Sequence, residues 1–543
     1  MTDHLILAAL PTPNGELHLG HLGGPFLAAD ALARHLRAEG HRVTTVSATD
    51  GLESYVLDAA RREGRTPEAT ARDYHARIEA ALTATDCRPD VFLDVHDVHD
   101  VHNAAAEADH RGWHHLLAER LAERGRIEIR REHLLADATT GEELVACWLA
   151  GRCPACGEET AGYTCEACGM WFQPTDVREP RARHPREHVT TTGTTSAFLR
   201  LDARALLDLA RERRVPDDYV DLVRRYLELN GPLWRLTHPL GWGVPWDAPA
   251  PLNPLGPRQV HSTYALGTTA MFLLAGREHA QVHGLPHNPL LADGPHRPHV
   301  TLCFGMDGAL PLLMQLAVQE ATGIPCAPDE YRFNRFMTLD GQKFSTGRDH
   351  VVRVLDYVAA GLDTDALRFH LARLSPGEKP TDFSPDAFAD DVTQTLAGRL
   401  SRLLDACEAT ASTPHTHAAT APDRVRHRFE DTAARHREAL RTGDLALAAA
   451  AVDDWLALAP DAVATAGAHR VLAVLAALAA PLMPRWSDLI WERLGLPATP
   501  ALTAAGRLLS SDTSHLSAPA PGTLPRFAPV VGAEVRALVR RPR

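Results

Sequence analysis

Residues 4–21 read HLILAALPTPNGELHLGH. HLILAAL is a short apolar run stopped by Pro11 and Pro13, the pattern of a buried strand, and PTPNGE is a turn. From Leu19 to Glu39, Leu22, Phe26, Ala29, Leu32, Ala33 and Leu36 fall near one helical face, and Gly40 follows as a stop. RVTTVS at 42–47 reads as a second strand. Strand, helix and strand within fifty residues form a βαβ unit, so the expected fold is α/β, with a Rossmann-like parallel sheet.

Outward from this unit, residues 105–150 alternate helical and strand-like pieces. A Cys-rich patch occupies 151–175, and a polar Arg/His/Thr stretch, read as a connection, fills 176–200. Helical spacing returns at 201–230, and 231–258 is irregular, with Pro, Gly and Trp. HVTLCFG at 299–305 predicts a core strand and 309–320 a helix. From 386 to 495 the chain is Ala/Leu-rich with helical spacing, which predicts a bundle. The tail from 496 reads as loosely packed. The expected organisation is a first core half at 1–105, an insertion at 106–230 and a second core half at 231–345. A linking segment at 346–390 and a helical domain with its tail at 391–543 follow. The repeat DVHDVHDVH, Asp94 to His102, reads as a loop leading into a helix.

The 543 residues are 45% hydrophobic and 23% charged, enough for several packed units. No run of about 18 apolar residues occurs, so no membrane span is expected. The first residues lack a basic region and a cleavage site, so no export signal is expected and the setting is read as cytoplasmic. A net charge of −13 argues against a non-specific polyanion binder, and no DNA partner is expected. Of the 56 basic residues only Lys343 and Lys379 are lysine. A lysine kept against that bias marks a position needing a compact ammonium rather than a planar fork.

Three motifs carry chemistry. Cys153-x-x-Cys156 and Cys165-x-x-Cys168 offer four thiolates on two knuckles, each followed by glycine. That pattern predicts a structural zinc, because no coordination position is left open. His18-Leu19-Gly20-His21 stands after the first strand, at a helix start. Backbone N–H groups and two imidazoles there can meet phosphate oxygens. Lys343-Phe344-Ser345-Thr346-Gly347 follows a strand and the turn Asp340-Gly341, and supplies an ammonium and two hydroxyls for phosphate clamping.

In this order and spacing the three motifs resemble the class I aminoacyl-tRNA synthetases, and among them the methionyl enzymes. LPTPNGELHLGH is similar to that family's first strand and HIGH segment, and FMTLDGQKFSTGRD to its KMSKS loop. DTDALRFHLARLSPGEKPTDFSPDAF and APLMPRWSDLIWERLG are similar to later segments. The resemblance implies that ATP, with Mg, and an amino acid react to an aminoacyl adenylate. It implies His18, His21, Lys343 and Ser345 as catalytic groups and Gly20, Asp307 and Thr346 as ATP contacts. Leu10, Thr12, Asp50, His261, Tyr264 and Thr268 then face the amino acid, with Asp50 on its ammonium.

The match fails where substrates are read. The family's WLDAPIGY corresponds to His261 through Thr268, which is smaller and more polar. Thr12 replaces a tyrosine, and Gly308 and Leu312 replace an Ile and a His. The second lysine of the loop motif is Thr346. Gly398, Arg402 and Ala406 stand where the family reads the anticodon, and Trp455 reads as core. Three readings follow: a paralogue passing its acyl group to a small amine or hydroxylamine, a genuine methionine–tRNA ligase, and a non-catalytic nucleotide-binding module. The first resembles enzymes that form N–N bonds alongside a cupin partner, which here would be a separate chain. It leaves tRNA as an uncertain acceptor.

Overall fold

The computed structural model describes residues 2–95, 101–165, 167–186, 188–246, 258–261, 264–344, 350–377, 379–410, 420–497, 499–511 and 522–540. Five parallel strands form the central sheet, in the order Glu330–Asn334, His299–Gly305, Asp3–Leu7, Arg42–Thr49 and Val91–Asp94. Asp3–Leu7 lies in the middle and pairs with both neighbours, His4 opposite His299 and Val43. The chain therefore winds first to one side and then to the other. The crevice at the carboxyl ends of the central strands is where such sheets bind ligands.

The first helix is not continuous. Leu19–His21 is a single turn, Leu22–Phe26 is widened into a π segment, and Leu27–Ala38 is α-helical. The break sits at Gly24 (ψ −111°), which precedes Pro25. Proline supplies no N–H and bars the residue before it from helical geometry, while glycine accepts the alternative. Apolar periodicity alone cannot register that interruption.

The stretch read as a connection is strand. Val189–Arg200 pairs antiparallel with Ile127–Asp137 along its length, Leu199 opposite Ile127 and Val189 opposite Asp137. Its run VTTTGTTSAF is polar yet β-branched, which suits a strand with one half-wet face. The Cys-rich patch makes a smaller sheet of Leu149–Arg152 between Glu159–Ala161 and Arg178–Ala182. The repeat's residues 96–100 lie outside the described residues, and the helix Val101–Glu123 follows.

The helical region runs from Pro385 through Arg493, and Trp455 is core: it is 1% exposed and donates its indole N–H to the Val471 carbonyl at 3.2 Å. The described residues of the tail are not loose. Leu502–Leu509 and Gly532–Ala537 pack back, burying Leu509, Phe527 and Val535, and Arg540 pairs with Asp356.

Arg368 joins the two halves. Its fully buried guanidinium donates to Asp30 at 2.6 Å, to the Pro481 carbonyl at 2.9 Å and to the Thr85 carbonyl at 3.0 Å. Arg368→Met should destabilise the protein by about 3–5 kcal/mol, since it strands the Asp30 carboxylate and several carbonyls. Urea denaturation of both proteins checks this; an unchanged midpoint would refute it.

Candidate active site

The strand Asp3–Leu7 leads into His18, which caps the short turn Leu19–His21. His18 Nδ1 accepts the Gly20 N–H at 3.1 Å, and His21 Nδ1 accepts the His18 N–H at 3.3 Å. Each ring thus has its proton on Nε2 and can donate from there. The rings stack with centroids 3.8 Å apart. Burial holds both below the ordinary histidine range, His21 to about 4, and His21 and Lys343 also depress His18. At neutral pH the pair is uncharged, which lets the two rings stack without repulsion.

The lysine comes from a hairpin. Met337–Leu339 pairs antiparallel with Gln342–Lys343 through Asp340-Gly341, whose φ angles of 49° and 75° are those of a tight Asp-Gly turn. Lys343 Nζ lies 4.0 Å from the Phe336 ring centre. The next residue, Phe344, stacks on His18 at 4.9 Å, nearly parallel. Downstream, Leu19 N–H donates to the Val352 carbonyl at 3.1 Å and Val354 N–H to the Leu17 carbonyl at 3.0 Å. The structure therefore brings His18, His21 and Lys343 to one place. Ser345, Thr346 and Gly347 lie outside the described residues. Gly20 fits because it is small: a Cβ there would stand 3.0 Å from the His18 ring and 3.3 Å from Phe344.

Asp50 follows the strand Arg42–Thr49 and donates its N–H to the Pro11 carbonyl at 3.0 Å, so it sits beside Leu10 and Thr12, all half-buried. Asp307 follows the strand His299–Gly305 and is exposed; its carbonyl accepts the Trp171 indole N–H at 3.4 Å. Three neighbouring strands thus deliver His18, Asp50 and Asp307 to the same edge of the sheet. His261 and Tyr264 are buried. Thr268 is buried too, and its hydroxyl lies 3.2 Å from the Ala265 carbonyl of its own helix.

Sequence reasoning missed Glu53, Tyr163, Trp171 and Phe344. Glu53 is 2% exposed and has His261 Nε2 at 3.1 Å, the Tyr55 N–H at 2.5 Å and the Tyr163 hydroxyl as neighbours. These donors outweigh burial and hold its carboxyl below the usual range. Tyr163 lies inside the Cys quartet, and its place two residues before Cys165 was the available signal that the insertion reaches the site.

The four cysteines converge, their sulfurs all within 4.8 Å of one another. Cys153–Cys168 is 3.8 Å and Cys156–Cys165 is 3.6 Å. Tetrahedral zinc with sulfur at about 2.3 Å needs sulfur–sulfur edges of about 3.8 Å. Gly157 and Gly169, at φ 79° and 72°, close the two knuckles. The donor set fits a structural metal ion.

The model of the family described as tRNA synthetases class I (M) matches residues 4–253 and 313–407. The chain belongs to the class I tRNA synthetases, in their methionyl branch. It is 30% identical over 441 residues to the methionine–tRNA ligase of Chloroflexus aggregans, covering 74% of this chain and 69% of that protein. It is 29% identical over 409 residues to that of Salinispora tropica, covering 71% and 65%. Among solved structures, Mycobacterium tuberculosis methionyl-tRNA synthetase in complex with methionyl-adenylate superimposes with a TM-score of 0.70 at 19% identity. That match covers 97% of this chain and all of that one, and shows the shared fold. As a class I synthetase the chain is an ATP-dependent, adenylate-forming ligase, and Mg accompanies ATP in that class.

His18→Ala and Lys343→Ala should each lower ATP–pyrophosphate exchange by about 10²-fold, the loss of a few kcal/mol of charge stabilisation. Exchange rates at saturating ATP check this, and unaltered rates in both variants would contradict it. If the four thiolates hold an ion, a chelator should lower the melting temperature, because the knuckles would lose their cross-link; calorimetry with and without chelator reads the shift.

Proposed function

We propose that the chain activates an amino acid other than methionine and passes the acyl group to a small nucleophile. The observation that carries the activation step is the stacked imidazole pair, with both Nδ1 atoms occupied, facing the Lys343 hairpin. A substrate carboxylate oxygen attacks the α-phosphorus, the bond to the β-phosphate oxygen breaks, and pyrophosphate leaves. His18 and His21 donate from Nε2 to the phosphoryl oxygens where negative charge builds. Lys343 draws the β/γ-phosphates, aided by Ser345 and Thr346. Asp307 holds the ribose and Asp50 the substrate ammonium. Magnesium, travelling with ATP, supplies further neutralisation of phosphate charge. Cys153, Cys156, Cys165 and Cys168 would hold zinc, which would cross-link the insertion whose Tyr163 and Trp171 reach the site.

Support for a substrate other than methionine comes from the pocket positions. Buried His261 beside ionised Glu53 makes a polar wall, a poor match for the apolar thioether of methionine. Support for a small acceptor comes from the helical region. Specific reading of unpaired bases needs donors and stacking rings. Gly398 and Ala406 offer neither, Arg402 offers donors but no aromatic ring, and the Trp455 indole is sealed in the core. A soluble amine or hydroxylamine, with or without a separate cupin partner, fits this better than tRNA. The setting we propose is cytoplasmic; among the described residues no helix is long and apolar enough to cross a membrane.

Pyrophosphate exchange across the twenty amino acids, followed by offering tRNA, hydroxylamine and alkyl amines, tests the proposal. Exchange with an amino acid other than methionine and transfer to the amines is expected. Methionine-dependent exchange with methionine charged onto tRNA would establish the ligase reading instead.

A further inference from the structure

Beneath the Asp50 turn lies a cluster of buried polar rings. The short strand Thr237–His238 pairs with Gln259–Val260, which runs directly into His261. This pairing sets the His238 ring at 4.9 Å from His261 and 6.1 Å from Tyr264. Tyr163 packs on His261 at 5.0 Å and on Trp171 at 4.5 Å. Trp242, four residues after His238, donates its indole N–H to the Gly51 carbonyl at 3.1 Å, beside Asp50. The cluster is thus fastened to the same turn that carries the carboxylate proposed for the substrate ammonium.

Within it the hydrogen bonds are unequally filled. Glu53 is well supplied: His261 Nε2, the Tyr163 hydroxyl and the Ser54 hydroxyl approach Oε1, and the Tyr55 N–H reaches Oε2. It acts as a positioning residue that fixes His261. His238 is different. It is 1% exposed, and its Nδ1 accepts the Leu240 N–H at 3.2 Å, so its proton is on Nε2. Among the described residues that buried Nε2–H has no acceptor. Burial, with His261, Arg235 and Arg258 nearby, keeps the ring neutral. A buried donor without a partner is costly, and a ligand that supplies the acceptor recovers that cost.

We infer that His238 reads the side chain of the activated amino acid, and that this side chain is short, neutral and carries a hydroxyl or carboxamide oxygen. The inference rests on the activation reading above and names its substrate class. A carboxylate side chain would meet ionised Glu53 in the same cluster, and an ammonium would meet the His238 N–H head-on. An apolar side chain would leave that N–H unpaired, and sites built to hydrogen-bond their substrate reject such analogues strongly.

The test is pyrophosphate exchange by the full-length protein with serine, threonine, asparagine, glutamine, methionine, leucine, glutamate and lysine. One of the first four should exceed methionine in kcat/KM by about 10²-fold or more. His238→Phe should erase that preference, chiefly through KM. His238→Gln, which keeps a donor where Nε2 stood, should restore much of it. Glu53→Gln, by releasing His261, should raise KM for the polar substrate with a smaller change in kcat. Best exchange with leucine or a charged amino acid overturns the inference alone, as does an unaltered polar-to-apolar ratio in His238→Phe; best exchange with methionine overturns it together with the proposal of a substrate other than methionine. Exchange with none of the amino acids would overturn the activation reading and the inference together.

Discussion

Two segments more than 330 residues apart in sequence are held side by side by backbone hydrogen bonds, Leu17 and Leu19 to Val354 and Val352. Everything proposed for the site depends on this pairing. It stacks Phe344 against His18 and keeps the Lys343 hairpin over the mouth of the first crossover. Closing so long a loop costs entropy that neither segment could meet alone. The surrounding core meets it: Leu17, Leu19, Val352 and Val354 are all buried in one cluster with Phe344. The tail adds a second clasp, Arg540 donating its N–H to the Val351 carbonyl at 2.9 Å.

The sheet supplies the other half of the geometry. Its central strands end at the segments bearing His18, Asp50 and Asp307, so the backbone order alone gathers on one rim the groups proposed to meet phosphate, ammonium and ribose. The insertion then reaches back to that rim. Tyr163 meets Glu53 and Trp171 meets Asp307, both from the Cys-rich knuckles. A metal that only cross-links thiolates can in this way govern how firmly the substrate pocket is held.

Much of this was legible in the sequence because its signals are local. The apolar run at 4–10, HVTLCFG at 299–305, the two CxxC pairs and the His-Leu-Gly-His turn each declare themselves within a dozen residues, and the structure has strand, strand, converging thiols and a capped turn there. What was hidden is either an exception to periodicity or a contact between distant segments. Gly24-Pro25 breaks a helix whose apolar spacing is intact. The Thr-rich stretch 189–200 is a strand although its polarity resembles a connection, because pairing along Ile127–Asp137 outweighs exposure. The tail packs because Arg540 and Val535 find partners only in three dimensions. Glu53 carries no motif, and only its meeting with Tyr163 and His261 gives it meaning.

Gripping of one nucleotide by the two neutral imidazoles and the Lys343 ammonium is the proposal on which the others stand. A crystal structure with a non-hydrolysable ATP analogue tests it most directly. The α-phosphate should lie within hydrogen-bond reach of Nε2 of His18 or His21, and the terminal phosphates against Lys343. A nucleotide bound elsewhere, or bound here with both Nε2 atoms turned away from the phosphates, would contradict it.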